Sequence, residues 1–142
     1  MNLITVEDDI VTRIGTISGI KTQSWPDDPA EFLKGFPNCI ILVRYNGSVY
    51  EEAEPNNQPK VVQERTLEWE MFILSKSFKD TKKHQGAYTL VESVRAKLTG
   101  YTITGFSDAS IMIPVSDKFV SEEHGFHIYS TVYQFTFPEA EA

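Results

Sequence analysis

The feature that most constrains the fold of this chain lies in its second half, where one helix signal is followed by two long strand signals. The helix runs from about Gly86 to Leu98, and the strands are Ser110–Val120 and Gly125–Phe137, separated by the short polar turn Ser121-Glu122-Glu123-His124. In the helical stretch Leu90, Val94 and Leu98 recur four apart, with Tyr88 and Val91 beside them, so one face is apolar. Thr89 and Glu92 have capping-box spacing, and Gly100 is a helix stop. Along the last strand Tyr129, Thr131, Tyr133, Phe135 and Phe137 share one face, and Phe126, Ile128 and Val132 share the other. Large residues on both faces predict a strand that is central, or covered by something else, another subunit included. A helix that must bury a stripe and a hairpin that must bury a face satisfy each other by stacking as layers.

The first half extends that architecture. Leu3, Val6, Ile10, Ile14 and Ile17 recur at helical spacing, which predicts a helix over residues 3–17. Thr5 is its expected cap, Glu7, Asp8 and Asp9 suit the positive end of the helix dipole, and Gly19 is the expected stop. The turn-rich Ser24-Trp25-Pro26-Asp27-Asp28-Pro29 follows, then one expected helical turn at Ala30–Leu33 and a break at Gly35-Phe36-Pro37. Cys39–Tyr45 is an apolar run interrupted only by Arg44 and reads as a strand buried on both faces. Asn46-Gly47 has the composition of a tight hairpin turn, with Val49 and Tyr50 beginning the return strand. The polar Glu51-Glu52-Ala53-Glu54-Pro55-Asn56-Asn57-Gln58-Pro59 breaks that strand and reads as an exposed mobile loop.

From Val61 to Leu74 the pattern alternates: Leu67, Trp69, Met71 and Ile73 on one side, Thr66, Glu68 and Glu70 on a wet side. The next segment, Ser75–His84, carries Lys76, Lys79, Lys82 and Lys83 against Asp80 alone and is the basic cluster of the chain. Pro138 is the expected end of the last strand, with Glu139–Ala142 a frayed tail. The expected fold class is therefore α+β: a single mixed or antiparallel sheet of about four to five strands with two main helices packed on one face. At 142 residues the chain reads as one domain, 1–142, with an exposed loop at about 51–60 and a frayed end at 138–142. A domain of this size buries roughly two-thirds of its unfolded surface and needs no staple to fold.

Composition excludes several classes of function. The net charge is −7, so the counterion release that drives nucleic-acid binding is not available to the chain as a whole. The single cysteine, Cys39, excludes an internal disulfide and a cysteine zinc site, and its neighbours Ile40-Ile41-Leu42-Val43 make it a small buried hydrophobe. The start Met1-Asn2-Leu3-Ile4-Thr5-Val6-Glu7 lacks the features of a signal peptide, and no stretch approaches the ~18 apolar residues of a membrane span. Folding in a cytoplasm and no membrane partner are the corresponding expectations.

No constellation of catalytic residues stands out. His124 and His127 lie near Glu122 and Glu123, but a metal would need a further ligand in good geometry, and His84 sits among lysines that repel a cation. There is no Gly-x-Ser-x-Gly elbow and no glycine-rich phosphate loop ending in Gly-Lys-Ser/Thr. A serine triad needs no proximity in sequence, so composition does not address it. Glu51, Glu52 and Glu54 read as a solvated face. The chain is expected to carry no catalytic, cofactor-binding or metal-binding residues and to need no cofactor. What is left for function is contact with other proteins, through the loop carrying Glu51, Glu52 and Glu54, the segment carrying Lys76, Lys79, Lys82 and Lys83, and the aromatics Trp25 and Tyr50, which stand in loop-like surroundings as Phe36 does.

The helix Gly86-Ala87-Tyr88-Thr89-Leu90-Val91-Glu92-Ser93-Val94-Arg95-Ala96-Lys97-Leu98-Thr99-Gly100, followed by paired strands closing at Tyr133-Gln134-Phe135, resembles the small α/β tail proteins of bacteriophages. The likeness is above all to the tail terminator and the related Mu-like prophage tail proteins. The N-terminal amphipathic helix and the Pro-rich crossing into the first strand fit too; the likeness spans Val6 to Phe137, with Trp25–Pro37 departing from it. The resemblance implies a structural protein of the virion tail, assembled in the host bacterial cytoplasm. It would form a homo-oligomeric, hexameric ring that caps the head-proximal end of the tail tube, with tube protein, sheath and neck proteins as partners. DNA would pass only through the lumen, and no covalent chemistry would be involved. A domesticated version would end a tail-like particle without a genome. The alternatives are a small ligand-binding or enzymatic α+β domain with a pocket between helices and sheet, and another connector of the phage neck or tail-completion type.

Overall fold

The computed structural model describes residues 1–17, 20–28, 39–51, 61–82 and 85–141, without the side chains of 61, 62, 140 and 141. Among the described residues two helices, α1 (Leu3–Ile14) and α2 (Ala87–Leu98), accompany five strands: β1 (Lys21–Ser24), β2 (Cys39–Tyr50), β3 (Val61–Ser75), β4 (Ile113–Glu123) and β5 (Phe126–Glu141). The strands form one mixed sheet in the order β1-β2-β3-β5-β4. Only β1 and β2 run parallel, Lys21 opposite Ile40 through Ser24 opposite Val43, and the other pairs are antiparallel. This is the expected α+β fold, with both helices on one face.

Alternation explains why that face is dry. Ile41 and Val43 of β2, Leu67, Trp69, Met71 and Ile73 of β3, and Tyr133 and Phe135 of β5 point the same way. They meet Val6, Ile10 and Ile14 from α1 and Leu90, Val94 and Leu98 from α2 in one core. Each such large apolar side chain contributes roughly 1.5–3 kcal/mol by leaving water. The helix α1 packs against β1 and β2, and α2 against β3, β5 and β4. Asp9 ties the segment after α2 to α1: its Oδ2 accepts from the Tyr101 hydroxyl at 2.8 Å and from the Thr104 N–H at 2.9 Å.

Several expectations are corrected. The cap of α1 is Asn2, whose Oδ1 accepts from the N–H groups of Ile4 and Thr5, so Thr5 lies inside the helix. The helix stops at Ile14, and Ile17 reaches the core from the following turn. Asn46-Gly47 is no hairpin turn. The strand β2 runs straight through it to Tyr50, with a register shift between Tyr45 and Gly47, because β3 continues alongside and offers partners as far as Arg65. Asn46 instead donates from Nδ2 to Glu68 Oε2 at 3.1 Å.

The turn between the last strands is His124-Gly125, not Ser121–His124. Both residues have positive φ, 53° and 80°, which is the backbone a two-residue hairpin requires. The strand β4 accordingly occupies 113–123 rather than 110–120. Pro138 does not end β5, which continues to Glu141 beside β3. The last β4 contact of β5 is at Gln134, with Ser110 reaching Thr136, so no described strand needs the N–H that Pro138 lacks. Glu139 is anchored, not frayed, by Arg65 Nη1 at 2.8 Å and the N-terminal ammonium at 3.8 Å.

The outer face of β3 is only partly wet. Phe72 and Leu74 join Ile40, Leu42, Phe126 and Ile128 in a second buried cluster on that side, with Trp25 packed against it. Next to it Glu70 is buried: Oε1 accepts from Arg44 Nη2 at 2.9 Å, and Oε2 from the buried Ser130 hydroxyl at 2.5 Å. The expected helical turn at Ala30–Leu33, together with Gly19, Gly35, Phe36, Pro37, His84 and most of the loop Glu51–Lys60, lies outside the described residues. Cys39 is half-buried, and its burial pushes the thiol pKa up, away from reactivity.

Candidate protein-contact surface

The sheet ends on β4, and that strand is exposed along its length: every residue from Ile113 to Glu123 except Ser121 is open to solvent. Ile113, Val115, Phe119 and Val120 stand 44–50% exposed, and Ile111 just before the strand 53%. Register shifts at Val115 and Val120 bulge the strand, and Pro114 and Lys118 interrupt it. Bulges, proline and lysine guard an edge against indiscriminate pairing. The apolar side chains between them supply area for a fitted partner.

Beside this edge an aromatic groove forms, and its position follows from how α2 begins. The basic segment after β3 wraps the helix N-terminus. Ser77 O accepts from Ala87 N–H at 2.9 Å, Phe78 O from Tyr88 N–H at 3.0 Å, and Asp80 Oδ1 from Gly86 N–H at 2.8 Å. These satisfy donors that a helix end otherwise leaves without partners. The Gly86 N–H, with the Thr89 hydroxyl, holds the Asp80 carboxyl below its ordinary pKa. The approach is so close that a Cβ on Gly86 would lie 2.3 Å from the Lys79 carbonyl carbon.

The wrap sets Phe78 5.8 Å from Tyr88, centroid to centroid, and stacks it on His127 at 3.9 Å. Tyr129 of β5 meets Tyr88 at 6.0 Å and Phe119 of β4 at 5.4 Å, both edge-on. The groove between α2 and β4 has a volume of about 380 Å³ and is lined by Tyr88, Val91, Glu92, Asp117, Phe119 and Tyr129, with Lys118 also at its wall. Tyr129 has its phenol pKa raised, first by burial and then by its hydrogen bond with Tyr88. Asp117 accepts from the Thr131 hydroxyl, which holds that carboxylate at the groove.

The residues expected to make contacts are scattered by the fold. Lys76, Lys79 and Lys82 are exposed, but the segment's backbone serves as the helix cap, and Lys76 Nζ lies 4.9 Å over the Phe126 ring. Lys83 lies outside the described residues, as do Glu52 and Glu54. Glu51 is exposed at the base of the β2–β3 connection, where its N–H donates to Glu64 O at 2.8 Å and its carbonyl accepts from Gln63 Nε2 at 2.7 Å. Trp25 is turned back on the core, 4.6 Å from Phe72 on the face away from the helices and under the Arg44 guanidinium at 5.2 Å. Tyr50 stands 51% exposed at the far end of β2, with the Arg65 guanidinium 5.5 Å from its ring.

Sequence reasoning missed Tyr88, Glu92, Asp117, Phe119 and Tyr129 as a group, and β4 as an edge. The one available signal was that β4, like β5, has large apolar residues at positions of both parities. Among the described residues no group of three His, Cys, Asp or Glu side chains could hold a metal; His127 Nδ1 and Glu122 Oε2 are 3.7 Å apart. No described helix is long and apolar enough to cross a membrane.

Fold and surface together define an α+β sheet protein whose β4 edge is exposed, with an aromatic groove beside it. The chain belongs to the Gp37 protein family, whose model matches residues 10–139, from within α1 to within β5. That membership points to a phage-associated protein. No curated protein matches the sequence.

Proposed function

We propose that this protein is a structural component of a phage or phage-like tail, a tail terminator that caps the head-proximal end of the tube as a homo-oligomeric, hexameric ring. In this reading it ends tube and sheath polymerisation, joins the tail to the neck, and performs no covalent chemistry. DNA passes through the lumen without being held, which suits a chain of net charge −7. The protein belongs in the virion tail after assembly in the bacterial cytoplasm.

The observation that carries the proposal is the β4 edge. An eleven-residue strand with open backbone groups and apolar side chains is the feature through which sheets recruit another chain. Membership in a family that points to phages, and the resemblance to tail terminators, supply the setting. The test is light scattering of the purified chain with electron microscopy of tails carrying a labelled copy. Rings in solution, or label at one tail end, are expected. A strict monomer at high concentration whose label never reaches a tail end would refute the proposal.

One observation favours a second reading. The groove of about 380 Å³ brings Glu92 and Asp117 to the same aromatic wall, as a small-ligand site would. It lies open along β4 at the surface, however, which suits a partner's side chain better than an enclosed small molecule. A neck or tail-completion connector remains distinct from a terminator by its place in the particle, which the same labelling reads out.

A further inference from the structure

We propose that the groove between α2 and β4 is a receptor for a cationic side chain, arginine or lysine, carried on an extended segment of a basic partner protein that docks along β4. The inference rests on the docking reading of the β4 edge and adds the chemistry of what docks.

Three observations meet in the groove. Its wall is aromatic: Tyr88, Phe119 and Tyr129 surround it, with 5.4 and 6.0 Å between adjacent ring centroids. Ring faces attract cations, most strongly where water is partly excluded. Its charged side chains are acidic. Glu92 lines it from α2, and Asp117 lines it from β4 while accepting from Thr131 on the helix-covered side of the sheet. Lys118 also borders the groove, but it pairs with Ser130, whose hydroxyl bonds Glu70 on the opposite face, so alternation carries the Lys118 side chain away. Finally, the groove opens beside the strand to which a partner backbone would add, so main-chain pairing and side-chain capture fall within one segment's reach.

The occupant is argued from charge. Twenty acidic residues against thirteen basic ones give the chain a net charge of −7, so a basic protein is attracted to the surface as a whole and to the groove in particular.

The test uses the full chain and two blocked pentapeptides, Ac-Thr-Val-Arg-Val-Thr-NH2 and Ac-Thr-Val-Glu-Val-Thr-NH2, followed by NMR of the aromatic side chains. The arginine peptide is expected to shift the Tyr88, Phe119 and Tyr129 rings saturably and to bind about 10-fold more tightly than the glutamate peptide. The double variant Glu92→Gln, Asp117→Asn keeps the groove's shape and the acceptor for Thr131, and should reduce that preference to about 3-fold or less. Equal binding of the two peptides, or shifts scattered away from the three rings, would overturn the proposal. So would protection of the same rings by self-association as protein concentration rises, which would put a second copy in the groove. A chain that prefers the arginine peptide but never locates to a tail end would sink the terminator reading and leave the groove's chemistry standing.

Discussion

Replacing Gly86 by alanine tests whether the contact surface is held by the wrapped start of α2. Gly86 has φ −82° and ψ 165°, a backbone that alanine adopts freely, so the substitution brings no conformational penalty of its own. The cost is contact. The new Cβ would sit 2.3 Å from the Lys79 carbonyl carbon, 2.6 Å from its Cα and 2.6 Å from its oxygen, all backbone atoms that cannot rotate aside. Relief requires the Lys79 backbone to move by about 1 Å, since ordinary contacts lie near 3.5 Å. That displacement pulls on the bonds from Gly86 N–H to Asp80, Ala87 N–H to Ser77 and Tyr88 N–H to Phe78. Overpacking costs about 1–3 kcal/mol, and each weakened hydrogen bond up to ~1 kcal/mol. Against this, alanine restricts the unfolded chain by about 0.4–1 kcal/mol. The net expectation is a loss of about 2–4 kcal/mol, which at a urea slope of about 2 kcal/mol per molar lowers the midpoint by about 1–2 M. Tyr88 and Phe78 should lose their mutual contact, so the groove rings should shift in NMR even where the variant is fully folded. A midpoint within about 0.3 M of wild type would refute the reasoning, because the close approach would then not be holding the segment.

Further outcomes follow from the same geometry. Ile113→Lys with Val115→Lys changes side chains already about half exposed, so stability should stay within about 1 kcal/mol by urea titration, while docking along β4, read as binding of the arginine pentapeptide, should weaken. Asp80 has its folded pKa depressed, so its contribution is fully present above the unfolded value of about 3.9 and lost as pH falls through the folded one. The stability gap between wild type and Asp80→Asn should therefore be constant near neutrality and close below about pH 4, as read by thermal melts across pH. Glu70→Ala strands the buried Ser130 hydroxyl and the half-exposed Arg44, and should cost about 1–3 kcal/mol. Glu70→Gln, which keeps an acceptor for Ser130, should cost less in the same denaturation assay.

Much of the fold was legible because it is written in local periodicity. The stripes Val6-Ile10-Ile14 and Leu90-Val94-Leu98, and the alternation Leu67-Trp69-Met71-Ile73, each identify their element and their buried face without reference to any neighbour. The errors fall where a neighbour decides. Asn46-Gly47 carries the composition of a turn, yet β3 runs beside it and makes it a bulge. Pro138 carries the composition of a strand end, yet the side of β5 away from β3 has no described strand there, so the missing donor does no harm. Glu70 alternates as a solvent-facing residue, yet Ser130 and Arg44 arrive from strands sixty residues after it and twenty-six before it.

The contact surface belongs wholly to this second kind. Tyr88, Glu92, Asp117, Phe119 and Tyr129 come from three elements, His127 joins them from β5, and Phe78 comes from the segment before α2. Their spacing in sequence follows no motif. By itself, the sequence determined an α+β chain with two amphipathic helices, a buried alternating strand and a closing hairpin, because backbone hydrogen bonding and side-chain parity are short-range. Tertiary structure alone decided which of two similar apolar strands is covered. The sheet order puts β5 between β3 and β4 and leaves β4 at the edge. Both strands have large residues on both faces, but only one has a neighbour on each side, and neighbours are a property of the assembled sheet.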